Sequence, residues 1–203
     1  ESNGYDTFFV KGIYASKNKK KAYLQPLGEL LLTLKFQRNG QLKNISKIEF
    51  ASQSFDISED IRGHSMVFFI ADFLNQILRN EQKNDVIFDE ILKLKQEIQN
   101  NNFQSHLVFL FEILRIQGIL PLVNEQIFLD PESGNFTDVL AHHFFTEEIS
   151  TLWRRLSEAV QPYETNISPS QRRDFLDSLL VYYHYHFPDF KTPQSLEILQ
   201  HIF

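Results

Sequence analysis

The sequence predicts an α+β chain in which a small β-rich module comes first and a mostly helical one follows. Three observations predict it. Residues 5–50 carry short runs of aromatic, β-branched and alternating apolar residues, broken by Gly, Pro and Asn. From about Ile57 the apolar residues instead recur with the 3.6-residue period of a helix. The charge also changes sign. Residues 1–50 hold nine Lys/Arg against four Asp/Glu, and residues 51–203 hold eleven against twenty-two. The net charge of −6 therefore conceals a balance of +5 followed by one of −11. Opposite-signed halves point to two modules with different partners, placed at residues 1–54 and 55–203.

Tyr5-Asp6-Thr7-Phe8-Phe9-Val10 reads as the first strand. In the second, over residues 28–37, Leu30, Leu32, Leu34 and Phe36 line one face, and Thr33 and Lys35 the other. Asn39-Gly40 follows, a strong hairpin signal because a type I′ turn needs positive φ at both central residues. The return strand covers residues 42–50. Its apolar spacing slips from three (Leu42, Ile45) to two (Ile48, Phe50), so a bulge is expected near Asn44. Three strands make a poor independent sheet. Two more upstream would complete a five-stranded barrel, for which an OB-fold is the natural choice. The absence of an initiator Met carries the expectation that the natural N-terminus, with those strands, is missing.

Residues 11–27 join the first two strands. Five lysines fall in the first eleven of these residues, including the run Lys19-Lys20-Lys21. A cationic loop on a sheet rim can hold a phosphate backbone. It can equally be a solvated loop that keeps a strand end soluble. The full basic set is Lys11, Lys17, Lys19, Lys20, Lys21, Lys35, Arg38, Lys43 and Lys47. Tyr14 and Tyr23 border the lysine run and could stack on bases or pack within the sheet.

The helical half divides into six segments. The first carries Met66, Phe69, Ile70, Phe73, Ile77 and Leu78, and the second Phe88, Ile91, Leu92 and Ile98. The third carries Phe103, Leu107, Leu110, Phe111 and Leu114, and stops at Gly118 and Pro121. Residues 122–136 are irregular, with a turn at Asp130-Pro131-Glu132-Ser133-Gly134. A fourth helix is expected to hold Leu140, Phe144, Leu152 and Leu156. The fifth opens on Ser168-Pro169-Ser170-Gln171, with an N-cap Ser, Pro at the first helical position and Gln completing a capping box. Its core face is Phe175, Leu176, Leu179, Leu180 and Tyr183. Thr192-Pro193 starts a short last helix with Leu196, Leu199 and Phe203.

Composition excludes several chemistries. With no Cys there is no disulfide, thiolate metal site or cysteine nucleophile. No apolar run approaches the ~18 residues of a membrane span, and residue 1 does not open a signal peptide. His142-His143 and His184-x-His186 lack the i,i+3 or i,i+4 spacing by which helical ligands share a face, so no metal is expected. Glu147-Glu148 reads as a solvated helix face. No Walker A, G-x-G-x-x-G, G-x-S-x-G or H-E-x-x-H motif is present, and nothing nominates a nucleophile. No enzymatic activity and no cofactor are expected.

Several short motifs together resemble the RecO family of bacterial recombination mediators. The first is Val10-Lys11-Gly12-Ile13, then Ser16-Lys17 with following lysines, then Gln25-Pro26-Leu27. The second is Leu114-x-x-x-Gly118-x-x-Pro121. The third is Tyr182-Tyr183-x-x-His186-x-Pro188-x-Phe190, followed by Ser195-Leu196-Glu197-Ile198-Leu199. Their order and spacing cover nearly the whole chain. The resemblance implies an N-terminal OB-fold, partial here, and a helical C-terminal domain. Many family members bind zinc through cysteines after the Gly-x-x-Pro region. This chain has Asn124, Glu125 and Gln126 there, so a zinc-free loop held by Phe128 and Phe136 is expected.

The resemblance further implies a cytoplasmic, nucleoid-associated protein that binds single- and double-stranded DNA and anneals complementary strands. Its implied partners are RecR, the C-terminal tail of single-stranded-DNA-binding protein and, indirectly, RecA, with no membrane. DNA contact is then expected at Lys11, Lys17, Lys19, Lys20, Lys21, Lys35, Arg38 and Lys43. Arg154, Arg155, Arg172 and Arg173, the paired arginines of the helical half, could rim a groove for the acidic tail or form ion pairs within and between helices. The rival reading is a protein-interaction adaptor whose OB-like module does not use DNA.

Overall fold

The computed structural model describes residues 4–10, 23–35, 43–51 and 60–202. The Asn39-Gly40 turn, Phe36, Leu42 and Phe203 lie outside them. The first module is a three-stranded sheet of β1 (Phe8–Phe9), β2 (Leu30–Lys35) and β3 (Lys43–Phe50), in the order β1-β3-β2. β1 runs parallel to β3, and β2 antiparallel to it. Alternation along β2 is as the sequence predicts: Leu30, Leu32 and Leu34 turn inward, and Leu31, Thr33 and Lys35 are exposed. The expected bulge is present but lies two residues beyond Asn44. Thr33 pairs with Lys47 and Leu34 with Ile45, which leaves Ser46 as the extra residue. Its Oγ donates to the Thr33 carbonyl at 2.9 Å, so the bulge supplies its own hydrogen bond. Among the described residues the sheet does not close into a barrel.

The helical half is built around α3 (Ser105–Ile116), buried on every side from Ser105 to Leu114. A helix apolar all round belongs at the centre of a core. Around it stand α1 (Ile61–Ile77), α2 (Asp85–Gln99), α4 (Glu147–Glu158), α5 (Pro169–His186) and α6 (Leu196–Ile202). The aromatic core is continuous. Trp153 of α4 packs on Phe111, Phe145, Phe175 and Tyr182, and Phe73 of α1 meets Tyr183 edge-on. The sheet joins this core through the largely buried ion pair of Glu29 with Lys95 and through Leu27, which packs against it.

Capping signals fix the helix ends. Gln171 Oε1 accepts from the Ser168 N–H at 3.2 Å, as the capping box predicts. α3 ends in a Schellman motif. Gly118, at φ 71°, donates to the Arg115 carbonyl, and Ile119 donates to that of Leu114, both at 3.0 Å. A Cβ on Gly118 would meet nothing, so Gly118→Ala should cost only the backbone term, about 1–2 kcal/mol. A urea midpoint measured at unchanged m-value reads it.

Three expectations need correction. Phe88 is 51% exposed, and α2 buries Ile87, Leu94, Lys95 and Ile98 instead. α4 does not begin near Leu140, which is 47% exposed. It begins at Glu147, where the Thr146 side chain caps the Ile149 N–H at 3.4 Å. Residues 122–136 are not irregular throughout, because β4 (Phe128–Asp130) and β5 (Asn135–Thr137) form a hairpin. The side chain buried from β4 is Leu129, with Phe136 from β5, while Phe128 is only partly covered.

Candidate nucleic-acid interface

The outer face of the β2–β3 pair carries two exposed lysines, Lys35 and Lys47. Lys35 ends β2, is exposed, and pairs with Asn44 across the ladder. Lys43 opens β3 beside Asn44, so Lys35 and Lys43 occupy the same end of the sheet. Lys47 faces outward opposite Thr33 and pairs with Glu49 at 2.8 Å. Both partners are well exposed, and such a pair contributes about 0–1 kcal/mol, so a phosphate could displace Glu49 at little cost. Lys11, Lys17, Lys19, Lys20, Lys21 and Arg38 lie outside the described residues, as does Tyr14. Tyr23 packs on Phe50, with ring centroids 4.6 Å apart.

The four arginines do not converge. Arg154 lies over the Phe136 ring, 4.5 Å from its centroid, and donates to the Gln126 carbonyl. Arg155 and Arg172 reach the connection between α4 and α5 instead. Arg155 Nη2 donates to the Asn166 carbonyl at 3.4 Å, and Arg172 Nε to that of Ile167 at 3.2 Å. Arg173 lies near Asp177, whose carboxyl burial pushes above its usual pKa, with the Arg173 charge opposing that rise only in part. Beside Arg155 is an open cleft of about 440 Å³, lined by Glu147, Glu148, Thr151, Leu152 and Gln171. Gln171 Nε2 donates to Glu148 Oε1 at 2.7 Å, an interhelical link that no local pattern announces. Glu147 and Glu148 sit in the first turn of α4, where carboxylates favour the positive helix end.

The paired histidines contact neighbouring rings and polar atoms. His142 and His143 stack on each other at 4.6 Å. Partial burial, then His143, holds the His142 imidazole below its usual pKa. His184 Nε2 lies 3.1 Å from Thr192 Oγ1, and His186 Nε2 lies 2.9 Å from the Pro131 carbonyl. Among the described residues no three His, Cys, Asp or Glu side chains stand together as metal ligands do. None of the described helices is long and apolar enough to cross a membrane.

No family model matches the chain. Individual proteins do. The chain is 30% identical over 210 residues to the DNA repair protein RecO of Flavobacterium psychrophilum, an alignment covering 100% of this chain and 88% of that protein. The chain belongs to the RecO family of DNA repair proteins. The RecO of Flavobacterium johnsoniae is 28% identical over 211 residues, again 100% of this chain and 88% of the relative. That of Bacteroides fragilis is 28% identical over 217 residues, 100% and 89%.

In this RecO chain the motifs of the helical half hold the fold together. Tyr182 Oη donates to the Ile119 carbonyl at 2.9 Å, just beyond the Gly118 cap. Tyr183 Oη donates to the Leu110 carbonyl at 2.7 Å inside the core, where burial pushes its phenol well above the usual pKa. Phe190 packs on Tyr183 and Phe73. Other side chains with structural roles escape sequence reasoning. Gln104 receives the Ile167 N–H at 2.9 Å and donates to the Thr165 carbonyl, and Tyr163 Oη donates to Glu90 at 2.6 Å. These partners stand 61 to 73 residues apart in the chain.

Proposed function

We propose that this RecO-family chain is a non-enzymatic recombination mediator that binds single- and double-stranded DNA through its N-terminal module. In this reading residues 1–54 are the later strands of an OB-fold, and residues 55–203 are the helical domain that frames them. The observation that carries it is the +5 balance of the first fifty residues in a chain that is −6 overall. Lysines at Lys11, Lys17, Lys19, Lys20, Lys21, Lys35 and Lys43, with Arg38, neutralise phosphates, release counterions and let two backbones approach. Strand annealing needs that approach and no nucleotide hydrolysis. The acidic helical half repels the duplex and meets protein instead. Its partners in this proposal are RecR, the tail of single-stranded-DNA-binding protein and, through them, RecA, at the cytoplasmic nucleoid. Arg154, Arg155, Arg172 and Arg173 are the positions proposed for an acidic tail, each of which would have to exchange its present contact for it.

Fluorescence anisotropy with single-stranded DNA across a salt series tests the reading, on the chain and on Lys19/Lys20/Lys21→Ala. Each single-strand phosphate contact contributes about 0.7 to the log–log slope, so loss of three should lower it by about 2. An unchanged slope moves the site off the lysine run. The adaptor reading draws on the overall acidity and predicts no DNA affinity even at low salt.

A further inference from the structure

Leu27 is held in a conformation that its side chain resists. Its φ is 58°, in the left-handed region where a Cβ crowds the following carbonyl. The strain belongs to a tight turn. The Gly28 N–H donates to the Gln25 carbonyl at 3.1 Å, and Pro26 takes the second of the four positions. The third position, with its positive φ, calls for Gly or Asn, and the sequence supplies Leu. A strained residue persists only where its surroundings over-determine it. Leu27 packs against the helical core, and two residues on Glu29 pairs with Lys95 of α2.

The rest of the junction is thin. Among the described residues, Leu27 is the one apolar side chain of the N-terminal module that packs against the helical core, and no strand of the sheet lies along a helix. Leu30, Leu32 and Leu34 stay half-exposed on the inner face of the sheet. Tyr5 Oη donates to Asn75 Oδ1 of α1 at 2.5 Å, and Gly4 lies so close to the connection before α2 that a Cβ on it would stand 2.6 Å from the Gln82 backbone. Both ties are local. The ladder of β2 on β3 is internal to the module, so the sheet keeps its hydrogen bonds without the junction. Two halves that share little buried apolar surface are expected to move relative to each other.

We infer that residues 25–29 are a latch, through which the N-terminal module docks on the helical half and releases from it as a folded unit. On release Leu27 relaxes to a negative φ, so the strain of the turn works for release. The seat of Leu27 on the core and the Glu29–Lys95 pair work for docking. The pair is lopsided. The Lys95 side chain is 8% exposed and that of Glu29 33%, so loss of the carboxylate leaves the more costly charge behind. A ligand that binds the released module better than the docked one draws the equilibrium its way, which makes the latch a point of control. The latch is a property of the junction and does not depend on the DNA reading.

The chain has no Cys, so two introduced cysteines carry spin labels at those positions alone. Thr33→Cys on the exposed side of β2 and Asp89→Cys on the exposed side of α2 report the distance between the halves by pulsed dipolar EPR. The docked form gives one narrow distance. Glu29→Gln should raise the ratio of a longer, broader component to the docked one by about tenfold or more. Lys95→Met fills the same space without a charge, and should release the module less than Glu29→Gln does. Amide exchange of residues 30–35 and 45–50 should keep its protection in both variants, because the sheet leaves intact. The far-ultraviolet spectrum of each variant checks that the helical half is folded. Three outcomes would overturn the inference: the same single distance in the labelled parent and in Glu29→Gln, strand amides that lose protection in step with release, or Lys95→Met releasing the module as much as Glu29→Gln. The second would mean that the module unfolds rather than undocks.

Discussion

Trp153→Ala should lower the unfolding free energy by about 3–5 kcal/mol. Trp153 is fully buried, and its indole touches four aromatic rings at centroid distances of 4.8 to 6.0 Å. Those rings come from α3, from the segment before α4, and from α5, so one side chain holds three parts of the core together. Removal leaves a cavity that Phe111, Phe145, Phe175 and Tyr182 cannot all collapse into, because each is itself fixed by other neighbours. There is a polar loss as well. Trp153 Nε1 donates to Ser178 Oγ at 3.0 Å, and Ser178 donates onward to the Phe175 carbonyl at 2.7 Å. Alanine leaves the Ser178 oxygen without its donor in a buried site, which adds to the cost. Against a typical total stability of about 5–15 kcal/mol, the variant loses a large share. Urea unfolding reads the change. A loss below about 1 kcal/mol at unchanged m-value would mean that Trp153 is not the keystone of this core.

The parts of this fold legible in the sequence are those that local chemistry decides. Ser168-Pro169-Ser170-Gln171 can do little but start a helix, and Gly118 followed by Pro121 can do little but end one. Alternation placed Leu30, Leu32 and Leu34 correctly because a strand offers only two faces. The misplacements lie where two local answers fit equally well. α2 has apolar residues at Val86, Ile87, Phe88, Ile91, Leu92, Leu94 and Ile98, enough for more than one stripe. The packing of α2 on α3 selects the stripe through Ile87, and Phe88 is left in water. Leu140 and Phe144 share i,i+4 spacing and so imitate a helix, whereas the true start was written in Thr146 with Glu147 and Glu148 behind it. Strands of three residues, such as β4 and β5, are too short for alternation to register.

The candidate site divides in the same way. The charge imbalance of the first module is a property of the sequence, and Lys35 lies where alternation put it. The arginine pairs were chosen for being adjacent, yet neighbours on a helix point about 100° apart, given 3.6 residues per turn. That geometry sends Arg154 to the β4–β5 hairpin and Arg155 to the Asn166 carbonyl. The long-range partners of Gln104, Tyr163 and His106 leave no trace in local sequence, because only the finished core brings them together.

His106 should make the protein acid-labile well above the range in which carboxylates titrate. It stands in the first turn of α3, fully enclosed, with Phe69 edge-on to its ring. Burial above all, and then the nearby Arg172 charge, push its pKa from 6.5 down to about 3, against a weaker opposing effect of a hydrogen bond with the Phe103 backbone. The folded protein thus keeps this imidazole neutral where the unfolded chain would protonate it. Since the unfolded state binds the extra proton, stability must rise with pH across this window. Its full contribution is present above pH 6.5 and is lost as the pH falls towards about 3. The slope approaches 1.4 kcal/mol per pH unit and the whole interval amounts to about 5 kcal/mol. Most Asp and Glu side chains titrate lower, so the upper part of the window, from about pH 6.5 to 5, is where the histidine can be read most cleanly. Urea unfolding of the chain and of His106→Asn at matched pH values gives the test. The variant will have its own baseline stability, so the informative quantity is the difference between the two curves. That difference should shift steadily against the parent chain as the pH falls. Parallel curves would mean that His106 takes up its proton in the folded state, which a fully enclosed imidazole beside an arginine cannot do without opening the start of α3.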